Sequence, residues 1–315
     1  MFFARAGGTI PAIGHESPNA GIPPAAQHPE APPRAAACPQ PVEIRIRAGS
    51  RARYWRDVWD YRELLQTLAA RDLSVRYKQT VLGAAWAVVQ PLTAVVLMTF
   101  VFGRLVGLKP DSGTSYAAMV MAAMLPWQLF ANVLSSSGQS LVSNANLISK
   151  VYFPRVIVPL AALSVALVDF VVMAVLFLPV MLWRGAAFGV EWLALVPLTL
   201  LACAAAFGPA LLITALNVKY RDFRFLVPFI LQMGLYVSPV AFSSSLVREK
   251  LGPAAAHLYA LNPLVPVIDG FRWAFGAGPA PVPTELAVSL VSTTAFLVIG
   301  LAYFRKTERQ FADII

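Results

Sequence analysis

Residues able to do chemistry are few in this chain, and they form no catalytic set. His15, His28 and His257 are scattered, without the spacing that metal ligands need. Cys38 and Cys203 are too few and too far apart to form a disulfide framework. The chain has no G-x-x-x-x-G-K-[ST] phosphate cradle, no H-E-x-x-H, no Cys/His cluster and no G-x-S-x-G. Nor do paired acids stand at a membrane face, as they do in membrane glycosyltransferases. No catalytic residue, metal site or cofactor is therefore expected in this chain. What remains is polar groups in apolar surroundings: Asp169 in the run 156–183, Gln90 in 84–102 and Gln232 in 226–242. An ionised group at the centre of hydrocarbon costs at least about 2.5–3.5 kcal/mol. Asp169 thus reads either as a working acid or as a protonated or partnered group bonded to a neighbouring helix. The sequence offers it no evident basic intramembrane partner.

The elements that must hold these residues follow from composition. Hydrophobic residues make up 58% of the 315 and charged residues only 13%, where a soluble chain carries about 25% charged. A bilayer solvent explains that deficit, and the chain reads as an integral membrane protein. The net charge of +9 does not argue for nucleic acid. Nine of the 25 Lys and Arg lie between Arg45 and Lys78, beside the first apolar run. That placement suits topology and anionic lipid.

Residues 1–41 are rich in Pro, Ala and Gly and read as a disordered cytoplasmic tail. No continuous apolar stretch marks a cleaved signal peptide there. Residues 42–83 are basic, with Tyr54, Trp55 and Trp59 as interfacial anchors, and end in a charged helix over 61–78. On that helix Glu63, Gln66, Thr67, Ala70, Arg71, Ser74 and Lys78 share one stripe, and Leu64, Leu65, Leu68 and Val75 another. A helix lying in the membrane interface and feeding a span is expected. Six spans follow at about 84–102, 116–134, 156–183, 192–216, 226–242 and 285–304, runs of roughly 20 residues each. Gln90-Pro91 should kink the first. The polar stretch 135–146 should end the second, and 147–153 should form a short helix. Residues 243–283 hold apolar runs too short to cross, cut by Pro263, Pro266 and Asp269, and read as re-entrant half-helices. Basic loops with Lys150, Arg155, Lys219, Arg221 and Arg224, and the end 305–315, place both termini in the cytoplasm. The fold class is all-α, with 84–304 as the transmembrane domain.

Two classes of function fit. One is a translocation subunit driven by a separate engine. The other is a secondary carrier, or a membrane-embedded enzyme, using Asp169. A carrier needs coupling residues at the midplane, and Asp169 is the lone candidate. A driven subunit needs cytoplasmic elements on which a partner docks, and the helices over 61–78 and 147–153 supply them.

Four segments carry a family resemblance: RDLSVRYKQTVLGAAWAVVQPL at 71–92, SNANLISKVYFPRVIVPL at 143–160, YRDFRFLVPFILQMGLYVSPV at 220–240 and NPLVPVIDGFRWAF at 262–275. Together they resemble the ABC-2 type permeases that export polysaccharides and polyol phosphates, the transmembrane subunits for O-antigen, capsule or teichoic acid. The likeness covers about 61–307. It implies a homodimer of six-span subunits in the bacterial inner membrane, bound below by two copies of an ABC nucleotide-binding subunit that holds ATP and Mg. The chain itself would be a permease and not an enzyme. Its cargo would be an undecaprenyl-pyrophosphate-linked polysaccharide.

The resemblance also implies site residues. Glu63, Arg71, Asn144, Lys150 and Tyr152 would dock the ATPase subunit. Spans 1 and 5 would line the channel, with Trp86, Phe100, Phe102, Tyr236 and Phe242 as aromatic platforms for the flat C–H faces of sugars. Such rings could equally face lipid or protein. Arg71, Arg76 and Lys78 would attract the lipid pyrophosphate, or serve topology alone. Gly83 would be the flexible point between the interface helix and span 1.

Overall fold

The computed structural model describes residues 51–78, 83–111, 113–183, 189–220 and 222–311, with the backbone alone for 51–53, 78, 83–88 and 309. The expected tail over 1–41 and the joint 79–82 lie outside the described residues. Every regular element among those described is helical. The order is α1 (Arg51–Asp60), α2 (Arg62–Lys78), α3 (Gly83–Met98), a π-helical turn (Thr99–Leu105), α4 (Tyr116–Ser143), α5 (Ala145–Lys150), α6 (Ile157–Trp183), α7 (Leu195–Lys219), α8 (Phe223–Val237), α9 (Ser244–Leu251), α10 (Pro253–Tyr259), α11 (Leu264–Ala274) and α12 (Pro283–Thr307).

Four of these are long and apolar enough to cross a membrane: α4, α6, α7 with the short turn before it (Val190–Lys219), and α12. Two shorter apolar helices, Val89–Leu105 and α8, accompany them. The 15 residues of α8 span about 22 Å, less than a hydrocarbon core of roughly 30 Å.

The centre is α4, with α6, α7 and α11 packed round it and α3 and α8 beside it. Its buried run is made of Ala, Met and Val, from Ala118 to Met124. Small Ala lets neighbouring helices approach, and flexible Met fills the uneven gaps between them. The helix does not stop at 134, contrary to the expectation from its polar stretch. Residues 135–143 stay helical, with Ser137, Gly138 and Ser140 buried. Small polar residues can do this because they bond locally and across. Ser140 Oγ bonds back to the Ser137 carbonyl at 2.7 Å. Thr214 Oγ1 of α7 donates to the same carbonyl at 2.8 Å, and Asn217 Nδ2 to the Gly138 carbonyl at 2.7 Å.

α7 meets α12 through two glycines. A Cβ on Gly208 would lie 2.7 Å from the Leu297 nitrogen, and one on Gly300 would strike the Gly208 carbonyl. Backbone-to-backbone contact of this kind is open only to residues without a side chain. α11, with 11 residues and about 16 Å long, is buried along most of its length. At its far end Arg272 is 2% exposed. It donates to the carbonyls of Val240 (3.1 Å), Phe242 (3.0 Å) and Met119 (3.4 Å). That grip ties the turn after α8 to the start of α4, where Tyr116 also donates to the Ala241 carbonyl.

The α7–α12 contact is testable. Gly300→Leu should lower the thermal stability of the detergent-solubilised protein by about 1–3 kcal/mol, the usual cost of overpacking. A melting temperature equal to wild type would show that the helices can part without cost.

Candidate docking face and buried polar network

At the end of the bundle where α4 stops, α2 and α5 share an edge. Arg71 Nη2 donates to Asn144 Oδ1 at 2.7 Å, and the same guanidinium holds Asp72 at 2.7 and 2.9 Å. Asn144 turns its amide back to the Ser140 carbonyl at 2.8 Å, which closes the end of α4. Tyr61 Oη donates to the Tyr152 carbonyl at 3.3 Å. Segments 73 to 91 positions apart are thus joined at two points. Glu63, Lys150 and Tyr152 stand exposed on them, with Tyr152 at 66%. All five residues singled out for docking therefore belong to these two joined segments.

One face of α2 is covered by protein. Leu68 and Ala69 are buried in a core with Val156, Val158, Ala161 and Val165, at the start of α6, while Leu64, Leu65 and Leu73 pack against it. Val75, placed on the apolar stripe, is 55% exposed. The helix climbs along α6 until its last turn reaches Asp169. Asp169 follows Ile157 by twelve residues, about 18 Å along the helix. The apolar stripe meets protein because α6 covers it.

Asp169 has the basic partner that the apolar spans could not supply, because that partner comes from α2. Arg76 Nη1 lies 2.5 Å from Oδ2, and Tyr77 Oη donates to Oδ1 at 2.6 Å. Asn132 Nδ2 of α4 approaches Oδ2 at 3.5 Å, and Gln128 Nε2 donates to Asn132 Oδ1 at 3.0 Å. Burial, then the Asp169 hydrogen bond, push the Tyr77 hydroxyl up to about 12, so it stays a donor. Tyr77 and Asn132 escaped sequence reading. The legible signal was Gln128 and Asn132, four apart on one face of an apolar helix. The Lys78 side chain lies outside those described.

A second cluster at this end was also not foreseen. Past α12, Glu308 accepts from Tyr54 Oη of α1 at 3.1 Å and from the Arg155 backbone nitrogen at 2.7 Å. The Arg155 guanidinium bonds the Glu308 carbonyl. Arg305 lies over the Tyr54 ring at 4.5 Å, and Phe304 meets Phe311 edge-on. Burial raises the Glu308 carboxyl, although its bonds to Arg155 and Tyr54 pull the other way. Burial likewise raises the Tyr54 hydroxyl.

The aromatic candidates fall into two groups. Phe100 (51%) and Tyr236 (61%) are exposed on the π-helical turn and α8, as are Gln90 and Gln232. Phe102 is half-buried against the main core. Phe242 is half-buried, and its carbonyl receives Arg272. The Trp86 side chain is outside those described. Among the described residues no group of His, Cys, Asp and Glu could hold a metal ion.

The profile of the ABC-2 type transporter family matches residues 63–275. The chain is 27% identical over 256 residues to the O-antigen export system permease protein RfbA of Klebsiella pneumoniae, covering 80% of this chain and 95% of the relative. It is 26% identical over 270 residues to the RfbA protein of Myxococcus xanthus, covering 82% and 98%. The polysialic acid transport protein KpsM of Escherichia coli is 22% identical over 247 residues, covering 78% and 93%.

The Glu308 cluster makes its own prediction. Glu308→Ala strands the half-buried Arg155 nitrogen and should cost about 1–3 kcal/mol, whereas Glu308→Gln keeps an acceptor and should cost less. An acid raised on folding binds more protons when folded, so it loses stability as pH rises from its unfolded value through its folded one. The Gln variant should lack that slope. Thermal unfolding in detergent across this pH interval checks both, and identical curves for Ala and wild type would remove the cluster's role.

Proposed function

The chain belongs to the ABC-2 type transporter family, and on that premise we propose that it exports a lipid-linked, O-antigen-like polysaccharide across the bacterial inner membrane, driven by a separate ATP-binding subunit. Permeases of this family are not themselves enzymes, and those of polysaccharide exporters work with an ABC ATPase subunit. The relatives named for O-antigen export cover 80% or more of this chain, and the KpsM relative is named for polysialic acid transport.

The observation that carries the reading is the α2–α5 edge. It is held by Arg71–Asn144, presents Glu63, Lys150 and Tyr152 to solvent, and lies at the end of the bundle that gathers the basic loops. A docking partner needs such a surface: exposed charge on a rigid base. In this reading two copies of the chain form the permease, and each spans the membrane six times. Val89–Leu105 and α8 serve as spans 1 and 5, and α9 to α11 dip back from the outer face. Both termini are cytoplasmic. α11 suits a re-entrant element because protein covers it nearly throughout, as the bilayer demands of a segment too short to cross. Phe100 and Tyr236, open to the surroundings on those two short helices, are with Trp86 the aromatic candidates for contact with sugar. The pyrophosphate head would meet Arg71, Arg76 and Lys78, of which Arg71 also holds Asp72 and Asn144 and Arg76 also holds Asp169. A carrier coupled through Asp169 is disfavoured by the same contact, since both carboxylate oxygens already have donors.

Surface polysaccharide should appear only when the ATP-binding subunit is co-expressed, and polymer export by this chain alone would refute the reading. Glu63→Lys and Lys150→Glu should each reduce co-purification of that subunit by about threefold to tenfold, in line with loss of a charged contact at a docking rim. Undiminished recovery with both variants would remove these two residues from the dock. Trp86→Ala and Tyr236→Ala should slow export at unchanged protein level, and normal surface polymer in both would exclude these rings from the channel.

A further inference from the structure

Neither docking nor passage of polymer calls on Asp169, yet it is the most completely partnered acid within the spans. Its side chain is 5% exposed and sits midway along a helix of Val, Leu, Phe and Met. A carboxylate in such a place destabilises the fold unless charge and hydrogen bonds are brought to it. Two of its donors, Arg76 and Tyr77, come from α2, and the third, Asn132, from α4.

The two ends of α2 are held differently. Its first half is packed, with Leu68 and Ala69 buried against the start of α6. Its last turn is not: Val75 is 55% exposed, and the Arg76 side chain 40%. The polar contact to Asp169 holds that turn. From Asp169 the network continues through Asn132 to Gln128, two positions on α4 one turn apart. Displacement of α2 therefore meets α6 and α4 together, through groups whose separation is costly in a low-dielectric setting.

We propose that the Arg76–Asp169 pair, seconded by Tyr77, is the joint through which movement of α2 is delivered to the spans α6 and α4. These are positioning residues and touch no cargo. The proposal rests on the reading of the chain as a driven permease. It adds a specific pair of residues to that reading and a direction of force, from the docking edge along α2 into the middle of the membrane domain.

The test separates assembly, ATP hydrolysis and transport. The complex is purified through the tagged permease from its host, phosphate release is measured on it, and surface polysaccharide is measured on the same cells. Asp169→Asn keeps size and an acceptor for Tyr77 but removes the charge. It should leave bound ATP-binding subunit and phosphate release near wild type, while polymer exported per ATP falls about tenfold, a typical coupling strength. The exchange Arg76→Asp with Asp169→Arg should restore much of that ratio. Tyr77→Phe, which deletes one hydroxyl only, should lower it by a smaller factor and guards against misfolding of the charge variants. A wild-type ratio in Asp169→Asn and Tyr77→Phe overturns the proposal, and so does loss of the ATP-binding subunit from Asp169→Asn, which would make the pair part of the dock. Absence of ATP-dependent export from the wild-type complex is a different result, since it removes the permease reading itself.

Discussion

Hydrocarbon cannot hydrogen-bond, and the internal arrangement follows from that. Each polar group carried into the bundle has to find its partner on another helix or on its own preceding turn. Ser137 does so with the Pro159 carbonyl of α6, and Thr214 and Asn217 do so where α7 meets α4. Arg272 does so with three carbonyls at the opposite end. Asp169 does so with α2 and α4. Among the described residues only Thr99 and Thr293 leave a buried hydroxyl oxygen unbonded. Polar residues here therefore mark where helices meet, and they fix which helix lies beside which more sharply than the apolar faces can.

This explains what could and could not be read from sequence. Composition and run length located α4, α6, α7 and α12 within a few residues at most ends, because span length is set by the bilayer and not by the partners of a helix. The short apolar pieces between Phe242 and Pro283 were legible for the same reason: each is too short to cross. The serines at 135–140 misled because a polar run signals a loop in an apolar chain, whereas Ser and Thr can remain helical by bonding to the preceding turn. Asp169 misled differently. A search for its partner within the spans was bound to fail, since Arg76 and Tyr77 belong to a helix outside them. No local pattern joins positions separated by some ninety residues.

The residues proposed for docking were a middle case. The resemblance pointed to Glu63, Arg71, Asn144, Lys150 and Tyr152 as members of two separate segments. Their common edge depends on one side chain reaching across, Arg71 to Asn144, and on a tyrosine, Tyr61, bonded to a backbone carbonyl. The Glu308 cluster had no legible signal, because its members come from α1, the turn before α6 and the end of the chain.

The attachments of α2 differ in strength along its length, and the order matters. Tyr61 to Tyr152 and Arg71 to Asn144 are exposed contacts, of the kind worth about 0.2–1 kcal/mol because water competes for both partners. Leu68 and Ala69 are held by burial, which weakens gradually as surfaces separate. The Asp169 carboxylate is enclosed, and removing its cation would leave a buried charge held by Tyr77 and Asn132 alone. On the proposed reading, a force applied at that edge acts on the exposed contacts first and on the enclosed carboxylate last. An element loosely held where it is pushed and firmly held where it ends transmits motion instead of absorbing it. The seventeen residues of α2 make a rod of about 25 Å, stiff enough over that length to act as one piece.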